Sequence, residues 1–228
     1  MAADQPIQRR GVLGLLAAGA AGLPLSQCDD TTAWHDVDVA GSSPALRFDM
    51  RRAPDGKQVT AADYRGDIVM LYFGYTFCPD VCPLTLQNTA DVFSRMGSDA
   101  RAVRFLFVTV DPGRDSLAVL AQYVSQFGPN FIGLRGTPDQ LANLARRYRI
   151  AYSVAPAQGS APGGTPNGNP IEVTHSSAIY VFDRQGAARL LVPSMASSSP
   201  DTTGVAADLT RLMHERPSTL GWLERLVS

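Results

Sequence analysis

The 228-residue chain lacks a surplus of charge: 20 Lys and Arg stand against 21 Asp and Glu, a formal net charge of −1. Without a basic excess there is no bulk attraction to nucleic acid, and no long block of like charge supplies a local one. The small and apolar stretch from Val12 to Leu25 falls short of the roughly 20 residues of an ordinary membrane span. Cysteine is scarce. There are three in the whole chain, an odd number that leaves one outside any internal pair. No two of them form the CxxC spacing of thioredoxin-type redox motifs.

What is present at the N-terminus reads as an export signal. Arg9 and Arg10 precede the Val12–Leu25 run, as a positive region precedes an apolar one, and QRRGVL resembles a twin-arginine signal with Gln8 where Ser or Thr is usual. LSQC then sets Leu25 three residues before Cys28, the spacing of a bacterial lipoprotein box, although Gln27 replaces the usual small residue. Residues 1–28 are therefore expected to export the chain and hold it at the periplasmic face of the inner membrane, by a lipid on Cys28 or an uncleaved signal anchor. Residues 29–45 mix Asp, Thr, Gly, Ser and Pro without a period and read as a tether.

The remainder, in a chain 45% hydrophobic and 18% charged, suits one globular domain over 46–216 with a helical tail at 217–228. A hairpin is expected from a strand at Leu46–Met50, a turn at Pro54–Gly56 and a strand at Lys57–Thr60. Ile68–Phe73 and Val103–Val110 are continuous apolar runs, the pattern of central strands covered on both faces. Between them Leu84, Leu86, Ala90 and Phe93 mark one helix face, and Leu117, Leu120, Ala121 and Val124 mark another after the second run. A short strand at Phe131–Leu134 leads to Thr137 and Gln140, spaced as a capping box, and to a helix carrying Leu141, Leu144 and Ala145. Residues 155–170, rich in Pro, Gly and Ser, read as a long loop. Ala178–Phe182 and Ala188–Val192 read as a second hairpin, followed by a helix over about 200–214. The order implies an α/β fold: a mixed central sheet with helices on both faces, thioredoxin-like in its succession of elements.

GYTFCPDVCP, from Gly74 to Pro83, falls between the first apolar strand and the first helix. Cys78 and Cys82 each precede a proline, which biases them toward extended geometry and places both thiols on the loop. Pro83 suits a first helical turn, so Cys82 would sit at a helix N-terminus, a position that lowers a thiol pKa and favours thiolate.

GYTFCPDVCP together with VTVDPGRDS, GLRGTPDQL and the VTHSSAIYVFD segment, in that order, resembles the Sco/SenC family of thioredoxin-fold copper proteins over about Leu46 to His214. The resemblance implies a copper ion, Cu(I) or Cu(II), bound by Cys78, Cys82 and His175. It further implies delivery of copper to the dinuclear site of the copper-binding subunit of cytochrome c oxidase. Two thiolates suit Cu(I) and an imidazole suits both oxidation states. Structural zinc would ask for a fourth ligand, which neither His35 in the tether nor His214 in the last helix supplies. Asp80 is either an outer-shell or docking group or a loop cap. Thr174 stands where the family often has an acidic residue before the histidine, and Asp111 and Arg114 fall in the DPxRD segment as a salt-linked loop support.

Two other activities share the fold. A thiol–disulfide oxidoreductase would cycle a Cys78–Cys82 disulfide and keep a partner's cysteines reduced, with other copper carriers or thiol oxidoreductases as further partners. The CxxxC spacing, and His175, Ser176 and Ser177 where thioredoxins carry a proline, weigh against it. A peroxidase would need one peroxidatic cysteine beside an Arg or Thr such as Thr76; a second cysteine so close is atypical.

Overall fold

The alternation of apolar runs and helical stripes resolves into ten strands and four α-helices in the computed structural model, which describes residues 33–156, 171–193 and 195–215. The strands are β1 (Val37–Asp38), β2 (Asp49–Arg52), β3 (Gln58–Thr60), β4 (Ile68–Gly74), β5 (Val103–Thr109), β6 (Phe131–Arg135), β7 (Tyr152–Pro156), β8 (Ile171–His175), β9 (Ile179–Phe182) and β10 (Ala188–Val192). The helices are α1 (Val81–Met96), α2 (Leu117–Ser125), α3 (Pro138–Arg147) and α4 (Thr202–His214). One sheet has the order β1-β10-β9-β4-β5-β6-β2-β3, parallel through β4, β5 and β6 and antiparallel outside them. β7 and β8 pair only with each other.

Register assigns the two faces. Met70 and Tyr72 lie opposite Phe105 and Phe107, so these four share a face. Phe105 and Phe93 of α1 both pack on Phe131, at 5.0 and 5.4 Å between ring centroids, and Phe107 packs on Tyr123 of α2 at 5.5 Å. α4 in turn packs on α1. Val69 and Leu71 face the other way with Phe182 and Tyr180, and Tyr148 at the end of α3 covers these two rings at 5.6 and 5.3 Å. Every residue of β4 is buried, as two-sided coverage requires. Burying a side chain such as Leu71 or Phe73 contributes about 1.5–3 kcal/mol each, and this strand is the one from which the CPDVC loop leaves.

The capping box of α3 is present: Thr137 accepts from the Gln140 amide and Gln140 Oε1 accepts from the Thr137 amide. Three expectations are corrected. The tether does not extend to residue 45, because β1 joins the sheet edge and Trp34 packs under Arg211, whose guanidinium lies 3.9 Å from the ring centroid. The first hairpin strand is Asp49–Arg52, not Leu46–Met50; Leu46 and Phe48 are buried ahead of it, but the ladder starts only where β3 and β6 supply partners. Tyr152–Pro156 is strand, so the segment read as loop begins later. The rest of that loop, the export segment with Cys28, and the C-terminal tail lie outside the described residues.

Candidate metal centre

The site begins with a close approach that only glycine permits. A Cβ on Gly74, the last residue of β4, would stand 2.7 Å from Phe107 Cε2 and 2.9 Å from Cys82 Sγ. The chain then turns, with Cys78 N–H donating to Tyr75 O at 3.3 Å, and enters α1 at Val81. Asp80 holds the N-cap position without a side-chain cap bond. Sulfur takes that place, since Cys78 Sγ accepts the Cys82 amide at 3.4 Å. Cys82 is therefore in the first helical turn and not on the loop. Early in a helix Pro83 forfeits no intrahelical bond, and the pre-proline bias is outweighed by burial of the thiol.

Cys82 is 0% exposed and Cys78 half-buried. Contrary to the helix-terminus argument, the Cys82 thiol is pushed up, first by its hydrogen bond with the Cys78 thiol and then by burial. Tyr72 O–H donates to Cys82 Sγ at 3.6 Å. Burial and the neighbouring cysteines also raise Tyr72 and Tyr123, and they bring Tyr75 to about 12. The surroundings of Cys82 thus disfavour negative charge and favour its protonated thiol. A bound cation reverses that preference, and two sulfurs in contact are a soft donor pair.

A buried carboxylate outside the cysteine motif fixes the loop. Asp115, 0% exposed, accepts from the Thr76 amide at 3.0 Å, from Thr76 Oγ1 at 2.5 Å and from Thr109 Oγ1 at 2.6 Å. Thr109 Oγ1 in turn accepts the Asp111 amide at 3.0 Å. The end of β5 and the start of the cysteine loop are so joined through one buried group. Its signal in sequence was a second Asp in DPGRD, one residue before the α2 cap Ser116. Arg114 pairs with Asp111 as expected, and its guanidinium lies 5.1 Å from the Phe77 ring centroid and 5.9 Å from that of Tyr75.

His175 ends β8, opposite Tyr152, and the next amide, Ser176 N–H, donates to Ala151 O at 3.2 Å. Three residues later β9 begins, antiparallel to β4 with Tyr180 opposite Leu71. The backbone therefore reaches the sheet at the same end of β4 from which the cysteine loop leaves. His35 and His214 are engaged elsewhere, 3.7 Å from Asp201 and 4.0 Å from Asp99. Among the described residues no group of three His, Cys, Asp or Glu side chains is gathered as a metal cluster, and no helix is long and apolar enough to cross a membrane.

Residues 47–214 match the model of the family described as SCO1/SenC, which is most of the chain. The chain belongs to the SCO1/SenC family. Within it, the mouse (Mus musculus) mitochondrial SCO2 homolog is 38% identical over 133 residues, 58% of this chain and 49% of that protein. The chain spans about half the length of the curated relatives it matches. Bradyrhizobium japonicum ScoI, solved with copper bound, superposes with a TM-score of 0.62 at 31% identity, covering 75% of this chain and 99% of that one. Yeast Sco1 with copper bound gives 0.63 at 28% identity, over 78% and 93%. The SCO1/SenC fold is thus the thioredoxin-like sheet expected from the order of elements.

Proposed function

We propose that this protein is an exported, membrane-tethered copper carrier that delivers copper to the dinuclear copper site of cytochrome c oxidase during its assembly. Cys78, Cys82 and His175 hold the ion. The reading is carried by the placing of the two cysteines together at the start of α1, where Cys78 Sγ accepts the Cys82 amide, in a chain whose relatives include proteins solved with copper bound. Copper is cargo here. Each thiol releases its proton as it takes the ion, and the cation's charge offsets the cost of a thiolate in a buried pocket. Cys82, buried beside Tyr72, is the retaining ligand, while Cys78, half-exposed, is the side a partner's donors can reach. Arg9, Arg10 and Cys28 support export and attachment to the inner membrane at its periplasmic face, with the oxidase copper-binding subunit as partner; mass spectrometry of the mature N-terminus tests that part.

The test of copper binding is metal content and absorption spectra of the purified protein. Reduced protein should retain one copper, and oxidised protein none, because a disulfide sulfur is a poor ligand. Cys78→Ser and Cys82→Ser should each abolish retention; full retention in either places the site elsewhere. A second reading, thiol–disulfide exchange with a partner's cysteines, is favoured by the same placing of the two cysteines. It needs no imidazole, so normal oxidase assembly by His175→Ala alongside failure by Cys78→Ser would put it first.

A further inference from the structure

Copper passes between proteins by ligand exchange, so a partner's donor atoms must reach bonding distance of one cysteine before the other lets go. Cys82 is wholly buried, which leaves approach from the side of Cys78. Whatever flanks Cys78 on that side touches the partner during transfer. The residue immediately before it is Phe77, whose side chain is 57% exposed; Val37 in β1 is the other large hydrophobic that stands out among the described residues. Phe77 is not loose. The Arg114 guanidinium covers its ring at 5.1 Å and is itself tied to Asp111. A ring already held loses little rotamer freedom on docking, and aromatic and Arg side chains are the groups that carry most interface energy. Arg114 is neutralised by its ion pair, and Asp80, between the two cysteines, carries an exposed charge.

We propose that Phe77, held by Arg114, is the anchor by which this protein docks on its copper acceptor; the proposal rests on the copper-transfer reading above. The acceptor that fits is a protein domain whose metal ligands are rimmed by an apolar pocket for the ring, with a Lys or Arg placed to meet Asp80. A small thiol or chelator presents no such surface and would ignore the ring.

The test loads wild type and Phe77→Ala with one equivalent of Cu(I). Each is then challenged with two acceptors: the soluble copper-binding domain of the oxidase subunit, and the chelator bathocuproine disulfonate. Copper content and extraction by chelator should be the same in both proteins. Transfer to the protein domain should slow about tenfold in Phe77→Ala, as expected for loss of one interface anchor, and Phe77→Trp should restore it. Equal transfer by wild type and Phe77→Ala would overturn the proposal. So would faster loss to the chelator, which would make the ring a cover over the metal, or loss of copper from the variant itself. Wild type that takes up no copper would sink the copper reading and this proposal with it.

Discussion

The two halves of the proposed site are built in opposite ways. The thiol half grows out of β4 and α1, where every strand residue and Cys82 are buried, and it is braced by Gly74, Tyr72 and Asp115. The histidine half ends a strand that, among the described residues, ladders with β7 alone, in a two-stranded ribbon separate from the main sheet. Such a ribbon adds little stability by itself. The contrast suits a carrier. On the proposed reading, a fixed pair of sulfurs would retain the ion, while the third donor, mounted on a separate ribbon, would leave or arrive without disturbing the core.

The largest expected effect falls on the thiol half. Gly74→Ala forces a Cβ against Phe107 and Cys82, and such overpacking costs about 1–3 kcal/mol. Thermal unfolding should move down by several degrees and copper retention should fall with it. A variant with unchanged stability and copper content would show that this half is not tightly braced. Asp115→Asn leaves three donors with a poorer acceptor, and loss of a buried hydrogen-bond partner costs about 1–3 kcal/mol. Denaturant titration should show that loss, and copper should be held less tightly because the loop start is released.

His175→Ala sharpens the comparison from the other side. Copper retention should weaken by at least about tenfold, since even outer-shell partners of a metal site are worth that much. Stability of the metal-free protein should change by less than about 1 kcal/mol. Equal losses of stability for His175→Ala and Asp115→Asn would erase the distinction between the halves.

The smallest effect lies away from both. Asp36 is held up at about 6, against an ordinary 3.8, by burial first and then by Asp208 and Asp201, with His35 opposing. A carboxyl pKa raised by folding means that the folded state binds the proton more tightly. The penalty is absent below pH ~4, grows through the window up to pH ~6 and is complete above it. Asp36→Asn should therefore stabilise the protein near pH 7 by about 1 kcal/mol, allowing for partial exposure, and by nothing near pH 3. Urea titrations of both proteins at the two pH values check it, and equal gains at both would contradict the linkage.

Much of the fold was legible because the signals are local. The apolar runs that became β4 and β5, and the Thr137–Gln140 cap of α3, announce themselves within a few residues. β1 does not, because Val37 and Asp38 are strand only through pairing with Leu191 and Leu190, far along the chain. At the site, the cysteines and the Asp111–Arg114 pair could be read from motifs. The direction of the Cys82 pKa could not, since the hydrogen bond with the Cys78 thiol and the burial of Cys82 are tertiary facts that outweigh the helix terminus. Nor could the role of Gly74, which depends on a ring from the adjacent strand.

In the proposed site two fixed sulfurs and one independently mounted imidazole hold the copper. Copper X-ray absorption of wild type and His175→Ala, each loaded with one equivalent of Cu(I), tests it most directly. Two sulfur neighbours and one nitrogen neighbour are expected in wild type, and in the variant the same two sulfurs with that nitrogen gone. A wild-type site of sulfur alone, or identical spectra from the two proteins, would contradict it.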